Sequence, residues 1–279
     1  MQKGKVIIGV TLLLLLLGAG CLTLSKPDIS SDTSPKESIL AEEVRLMELL
    51  SRFHEETLNR LNLLDQAVHS ASVHATAVGP DDPSTHEVLA YVAMGSESVI
   101  DVISFDTDGL ITDIYPTLYA SSLGADLSNS SHIRFVLDEN KPVLSDVFTS
   151  VEGPDASVIA YPVHHPNGTI AGGISALFSS AELIGEAAGA SGIPSPYFAK
   201  AVTVDGMIIY DPVKEEIGTT LFSDPGYTIS SDLELFLKRI GTEREGVAIV
   251  DLYGIQKHIV WDTVSLHGTD WRLLIEKSL

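Results

Sequence analysis

Val99-Ile-Asp-Val-Ile-Ser-Phe105, then Asp106-Thr-Asp-Gly109, then Leu110-Ile-Thr-Asp-Ile-Tyr115 decide the fold of this chain. Two runs rich in β-branched and aromatic residues flank a turn whose Gly109 can supply the positive φ of a tight hairpin. The reading extends from there toward the C-terminus. A loop carries Gly124-Ala-Asp-Leu-Ser128, a short helix is expected from about Ser130 to Glu139, and Lys141-Pro-Val-Leu-Ser-Asp-Val-Phe148 opens the next strand. Val158-Ile-Ala-Tyr-Pro-Val163 and Ile170-Ala-Gly-Gly-Ile-Ser-Ala-Leu177 are joined through His164-His-Pro-Asn-Gly168, whose Asn167-Gly168 is a strong hairpin signal. One antiparallel sheet over Val99–Ser179 accounts for these segments.

A smaller round of the same kind follows. Ala201-Val-Thr-Val-Asp-Gly206 starts it, Ser230–Arg239 reads as an amphipathic helix, and Gly246–Tyr253, Lys257–Val264 and Trp271–Glu276 read as strands. Ser180–Ala190 is a helix leading out of the first round, and Gly192-Ile-Pro-Ser-Pro196 breaks the chain between the two. Upstream, Ser34 as cap, Pro35 at the first helical position and Glu37 start a long helix. Leu40, Val44, Met47, Leu50, His54, Leu58, Leu61, Leu64, Val68, Ala71 and Ala75 recur at steps of three and four. That stripe suits packing along both sheets, or a coiled-coil seam. Gly79-Pro-Asp-Asp-Pro83 ends the helix, and Ser84–Ala93 is a shorter one.

The order Asp-x-Asp-Gly, Gly-x-Asp-Leu-Ser, short helix, Lys-Pro-Val-x-Ser-Asp-Val-Phe, Ala-x-Pro-Val and Gly-rich Ile-Ser strand resembles the membrane-distal module of the double-Cache extracytoplasmic sensor domains. The second round resembles the membrane-proximal module, and the resemblance covers roughly Pro35 to Leu279. It implies an α+β fold, a long N-terminal helix followed by two PAS-like antiparallel-sheet modules. The expected boundaries are a helix over 35–78, a distal module over 79–190 and a proximal module over 191–279.

The formal charge of -21, from 38 acidic and 17 basic residues, opposes nucleic-acid binding and polybasic membrane contact. It suits a solvated surface. Lys3 and Lys5 precede an apolar run, Val6–Leu17, too short for a comfortable span, so residues 1–20 read as a signal peptide. The run ends in Leu17-Gly-Ala-Gly-Cys21, which resembles a prokaryotic lipobox except for Gly18 where Leu is usual. Cys21 is the single cysteine, which excludes an intramolecular disulfide. Lipidation of Cys21, with 21–34 as a flexible tether, is the expectation; an uncleaved anchor and an ordinary secreted protein are the alternatives. The expected location is extracytoplasmic, at the outer face of the cell membrane.

Catalytic signatures are missing: no Gly-x-Ser-x-Gly, no His-Glu-x-x-His, no phosphate loop. No catalytic residue, cofactor or metal is assigned. His164-His165 face opposite sides of a strand, Asp106 and Asp108 suit a turn, and His54, His69 and His74 share no ligand spacing. An unusual hydrolase centred on His132 is the third-ranked reading.

The resemblance implies a ligand between the distal sheet and its short helix. Amino-acid binders of the family place an Arg near the start of that helix, then two aromatics, and later an Asp. Here Ser130, His132, Ile133 and Leu177 stand at those positions. A zwitterion would lose both charge partners, at a cost of several kcal/mol. The expected ligand contacts are Ser130, His132, Phe148, Ser150, Tyr161 and Ser175, suited to a small neutral or weakly charged molecule or a monocarboxylate. The functional expectation is a small-molecule-binding sensor lipoprotein without an output domain, acting through a separate membrane signalling or transport protein. The alternative is a structural or envelope-interaction lipoprotein whose modules bind no small molecule.

Overall fold

The computed structural model of the chain describes residues 35–80, 82–149, 155–221, 231–252 and 254–279. The signal peptide, the tether, Cys21, the Ser34 cap and Ser150 therefore lie outside the described residues.

Helix α1 (Pro35–Val78) is built from Leu, Ala, Glu and Arg with no internal Gly or Pro, a composition that favours unbroken helix. From Leu61 onward the expected stripe is buried, with Leu61 and Val68 at 0% exposure, while His54 and Leu58 are half-buried. Its first turns are rotated. Leu46, Leu49 and Phe53 are buried at 0% while Leu40, Val44 and Met47 are 62%, 51% and 46% exposed. Both sets have helical spacing, so the sequence offers two phases over these turns, and the bulkier Phe53 set closes on the proximal sheet. Helix α2 (Pro83–Met94) is capped by Asp82, whose side chain accepts from the Ser84 N–H at 2.9 Å.

The distal sheet consists of β1 (Val99–Phe105), β2 (Ile111–Tyr115), β3 (Val143–Leu144), β4 (Phe148–Thr149), β5 (Asp155–His164) and β6 (Ile170–Phe178), in the order β2-β1-β6-β5-β3 with β4 also paired to β5. Helix α3 (Ser131–Glu139) interrupts it between β2 and β3, and α4 (Ser180–Ala190) leaves it. The first hairpin turns at Gly109 (φ +81°), and the Asp106 Oδ1 accepts from the N–H groups of Asp108 and Leu110, each at 2.9 Å. The Asp106 carboxylate is thus a turn device. The single strand expected over Lys141–Phe148 splits into β3 and β4 because the Ser145 Oγ accepts the Val158 N–H at 2.9 Å, where a ladder carbonyl would stand. Gly172 (φ +138°) lies where a Cβ would come within 1.9 Å of the Phe105 carbonyl oxygen, so β1 and β6 meet in this register only with glycine there.

The proximal sheet repeats the plan with β7 (Phe198–Thr203), β8 (Ile208–Tyr210), β9 (Gly246–Leu252), β10 (Ile255–Leu266) and β11 (Thr269–Ser278), ordered β8-β7-β11-β10-β9, and α5 (Ser231–Thr242) between β8 and β9. In each sheet the first hairpin forms one edge and the last strand lies beside the first. One core runs along α1 and draws on both sheets, from Phe53 through Ile174 to Leu273. The opposite faces carry separate cores: one beneath α3, with Phe105, Ile133 and Leu177, and one beneath α5, with Val202, Phe236 and Trp261.

Candidate functional site

The candidate site is the layer between the distal sheet and α3. Ile133 and Val136, one turn apart, point inward and are fully buried on Ile103, Ala156, Val158, Ala160 and Leu177. Ser175 is opposite both Ile103 and Ala160 in register, so its buried hydroxyl faces this layer. His132, one residue before Ile133, turns to the edge of the layer, where its ring stacks on Phe148 with centroids 5.9 Å apart and planes inclined by 16°. Phe148 reaches that place because β4 pairs it with Ala156 of the same face. Burial pushes the His132 imidazole down from 6.5 to about 4, so it is neutral near pH 7. A neutral ring donates or accepts hydrogen bonds but brings no charge to hold a carboxylate. Ser130 is the N-cap residue of α3, and its hydroxyl does not bond the helix end.

Ser130, His132, Phe148 and Ser175 thus belong to one side of the distal module. Tyr161 does not join them. Successive residues of β5 alternate, and Tyr161 shares its face with Ile159 and Val163, against α1. Its hydroxyl donates to Asp65 of α1 at 2.9 Å and lies 3.2 Å from the His267 Nε2, while His69 stacks on its ring at 4.9 Å. Its geometry is that of a module junction. The sequence placed Tyr161 with the ligand because Val158–Val163 is apolar throughout and shows no alternation to read.

One polar residue of the layer was missed. Asp101 of β1 pairs with Leu177 of β6, is 7% exposed, and stands two positions before Ile103 on the same face. The available signal was an acid inside the apolar run Val99-Ile-Asp-Val102.

Three histidines elsewhere have local partners. His54 Nδ1 is 2.6 Å from Asp262 Oδ2, His74 Nε2 2.8 Å from Ser84 Oγ, and His164 Nε2 2.7 Å from Asn140 Oδ1. Among the described residues no three His, Cys, Asp or Glu side chains are grouped as a metal ion would require. A groove of about 730 Å³ lies between α1 and the proximal sheet, lined by Met47, Leu50, His54, Trp261 and Asp262. No described helix is long and apolar enough to cross a membrane.

Residues 59–180 match the family model of the HK/GC/chemotaxis protein-like sensor domain. No curated protein sequence matches the chain. Among solved structures, an extracellular ligand-binding receptor from Desulfohalobium retbaense is 23% identical with a TM-score of 0.71, over 82% of this chain and 39% of that one. The chain thus spans about two fifths of that receptor. The ligand-binding domain of the Pseudomonas aeruginosa amino acid chemoreceptor PctB, in complex with L-Arg, is 17% identical with a TM-score of 0.64, over 86% and 96% of the two chains. That of the Pseudomonas fluorescens chemoreceptor CtaA with L-alanine is 16% identical with a TM-score of 0.61, over 86% and 97%. Residues 59–180 thus match the HK/GC/chemotaxis-type sensor-domain model, and the chain has the double-Cache fold of these solved domains.

Proposed function

We propose that this protein is an extracytoplasmic small-molecule sensor whose ligand lies between the distal sheet and α3, held by Ser130, His132, Phe148 and Ser175, with Ser150 following β4. The supporting observation is the His132–Phe148 ring pair beside the Ser175 hydroxyl, all on the α3 side of the segment that matches the sensor family. The ligand is not a standard α-amino acid. Ser130 and the buried Leu177 occupy the places where the family resemblance puts the Arg and Asp that hold a zwitterion. Lipidation of Cys21 would hold the protein at the outer face of the membrane, through acyl chains that need to be at least two for stable attachment. The signal would pass to a separate membrane protein.

The test is native mass spectrometry of the purified chain after exposure to a metabolite library, with thermal melting in parallel. A ligand that binds only the folded state must raise the melting temperature. One stoichiometric small-molecule adduct is expected, lost in the His132→Ala and Ser130→Ala variants. A protein that stays bare and unstabilised across the library, or an adduct indifferent to both variants, overturns the reading.

A further inference from the structure

Helix α1 carries two apolar stripes over its first turns, and the fold of the chain uses one of them. Leu46, Leu49 and Phe53 are buried at 0% exposure, whereas Leu40, Val44 and Met47 stay 62%, 51% and 46% exposed. The exposed stripe continues through Ser51 and His54 to Leu58 in alternating steps of four and three, the spacing with which one helix packs along another. From Leu40 to Leu58 it is about 27 Å long. It borders the groove of about 730 Å³, where Met47, Leu50 and Leu58 of α1 face Val247, Val260 and Trp261 of the proximal sheet. Strand β9 is the outermost of that sheet, and its Ile249, two residues from Val247 and on the same face, is 44% exposed. The apolar surface therefore extends from the groove onto the sheet margin.

The charges of this groove have one sign. Glu55, Glu245 and Asp262 line it, with no Lys or Arg among the lining residues. His54 is held by Asp262, Nδ1 to Oδ2 at 2.6 Å. Arg45 and Arg52 lie about 160° and 140° round the helix from Met47, on the far flank, and Arg45 pairs with Glu48 at 3.2 Å. Arg239, over the Trp261 ring at 4.8 Å, is paired with Glu243 at 2.8 Å.

We infer that the groove between α1 and β9 docks an amphipathic helix of a second protein, one with an apolar face and Lys or Arg along its flanks. The apolar face of such a helix removes from water the stripe and sheet margin that this chain leaves exposed, and its basic flanks meet Glu55, Glu245 and Asp262. A second copy of this chain is the poorer occupant. Its own stripe is flanked by Glu43, Glu48 and Glu55, which would meet the acidic lining with like charge. The inference is independent of what binds under α3.

The experiment is fluorescence anisotropy of a labelled Leu/Lys peptide of about 18 residues, with Leu at i, i+3, i+4 and i+7, titrated with the purified full chain at low salt. A peptide of the same composition with its Leu positions shuffled, and one with Glu in place of Lys, are the comparisons. The patterned basic peptide binds stoichiometrically, and the other two at least about tenfold more weakly. Met47→Asp, at a position already exposed to water, and the pair Glu55→Lys with Glu245→Lys each weaken it by at least about tenfold. The pair Glu215→Lys with Glu216→Lys, exposed acids in the turn after β8, leaves it unchanged. If Met47→Asp does not fold, the two charge-reversal pairs decide the matter. A patterned peptide that does not bind, a shuffled peptide that binds as well, or equal losses in the two charge-reversal pairs overturns the inference. So does sedimentation velocity showing a dimer that Met47→Asp splits, since the occupant is then a second copy.

Discussion

Two sheet faces built on one topology, one beneath α3 and one beneath α5, differ in electrostatic content. Beneath α5 the charges answer one another: Lys200 bridges Asp211 and Glu276, and Lys257 closes on Glu276. Burial works against the Lys200 charge, yet Glu276 and Asp211 outweigh it and hold its pKa above the ordinary lysine value. Beneath α3 the corresponding positions, Ile103 and Ala156, are apolar, and the polar groups described there include Asp101, the Ser175 hydroxyl and the edge ring of His132. The buried charges beneath α5 are thus satisfied within the face.

The largest effect that could break this contrast is in the proximal network. Lys200→Met leaves Asp211 and Glu276 buried, at 3% and 5% exposure, with only Lys257 nearby. Breaking a buried pair by removing one partner costs about 3–5 kcal/mol, and the 18% exposure of the Lys200 side chain places the expected loss toward the lower end. Urea denaturation measures it. Ligand binding at the distal site should survive in the fraction that stays folded. A loss below about 1 kcal/mol would show that the network is solvated and the two faces less different than they look.

How much of this was legible in the sequence depends on whether a residue declares its face. Asp106-Thr-Asp-Gly109 and Asn167-Gly168 announced turns, since φ and side-chain-to-backbone bonds are local matters, and the hairpins follow. Asp101 did not declare itself. The β1–β6 register shifts between Val99 and Asp101, and Ile100 packs against the same α3-side cluster that Asp101 faces, so the period of two fails where it was needed. The amino-acid-type Asp was sought at Leu177, one strand away from the acid that is present. The opening turns of α1 failed for a related reason, because two apolar phases compete and only the tertiary surface chooses between them.

A second effect sharpens the contrast through pH. His132 has a folded-state pKa near 4 against an ordinary 6.5, so the folded state favours the neutral ring. The stability this contributes is complete above about pH 6.5 and is lost as pH falls toward 4, where protonation works against burial. A shift of that size corresponds to at most about 3 kcal/mol, less where the ring edge meets solvent. His132→Phe keeps the stacking on Phe148 and removes the titration. His258, beneath α1, is also depressed by burial, so the quantity to read is the difference between the two proteins. Between pH 7 and 5 the unaltered chain should lose more in melting temperature than His132→Phe; parallel curves would mean that the ring is solvated and the layer under α3 open.

The smallest effect tests whether the two faces belong to one cooperative body. Tyr161 of the distal sheet donates to Asp65 of α1, and His267, in the turn between β10 and β11, comes to the same carboxylate at 2.7 Å. Burial first, and then the Asp65 charge, push the Tyr161 hydroxyl up, so it stays protonated and remains a donor. Thr269 of the proximal sheet adds a second tie, donating to the Leu144 carbonyl at 2.6 Å. Tyr161→Phe removes one donor and leaves Asp65 its His267 partner, a loss of about 1 kcal/mol. Both tryptophans of the chain, Trp261 and Trp271, are proximal, so intrinsic fluorescence reports that module alone. If α1 makes one unit of the two sheets, a distal substitution must move the tryptophan midpoint by the full amount, in step with circular dichroism. A tryptophan transition that ignores Tyr161→Phe while circular dichroism shifts would mean that the modules unfold separately, and that a ligand under α3 stabilises only its own half of the molecule.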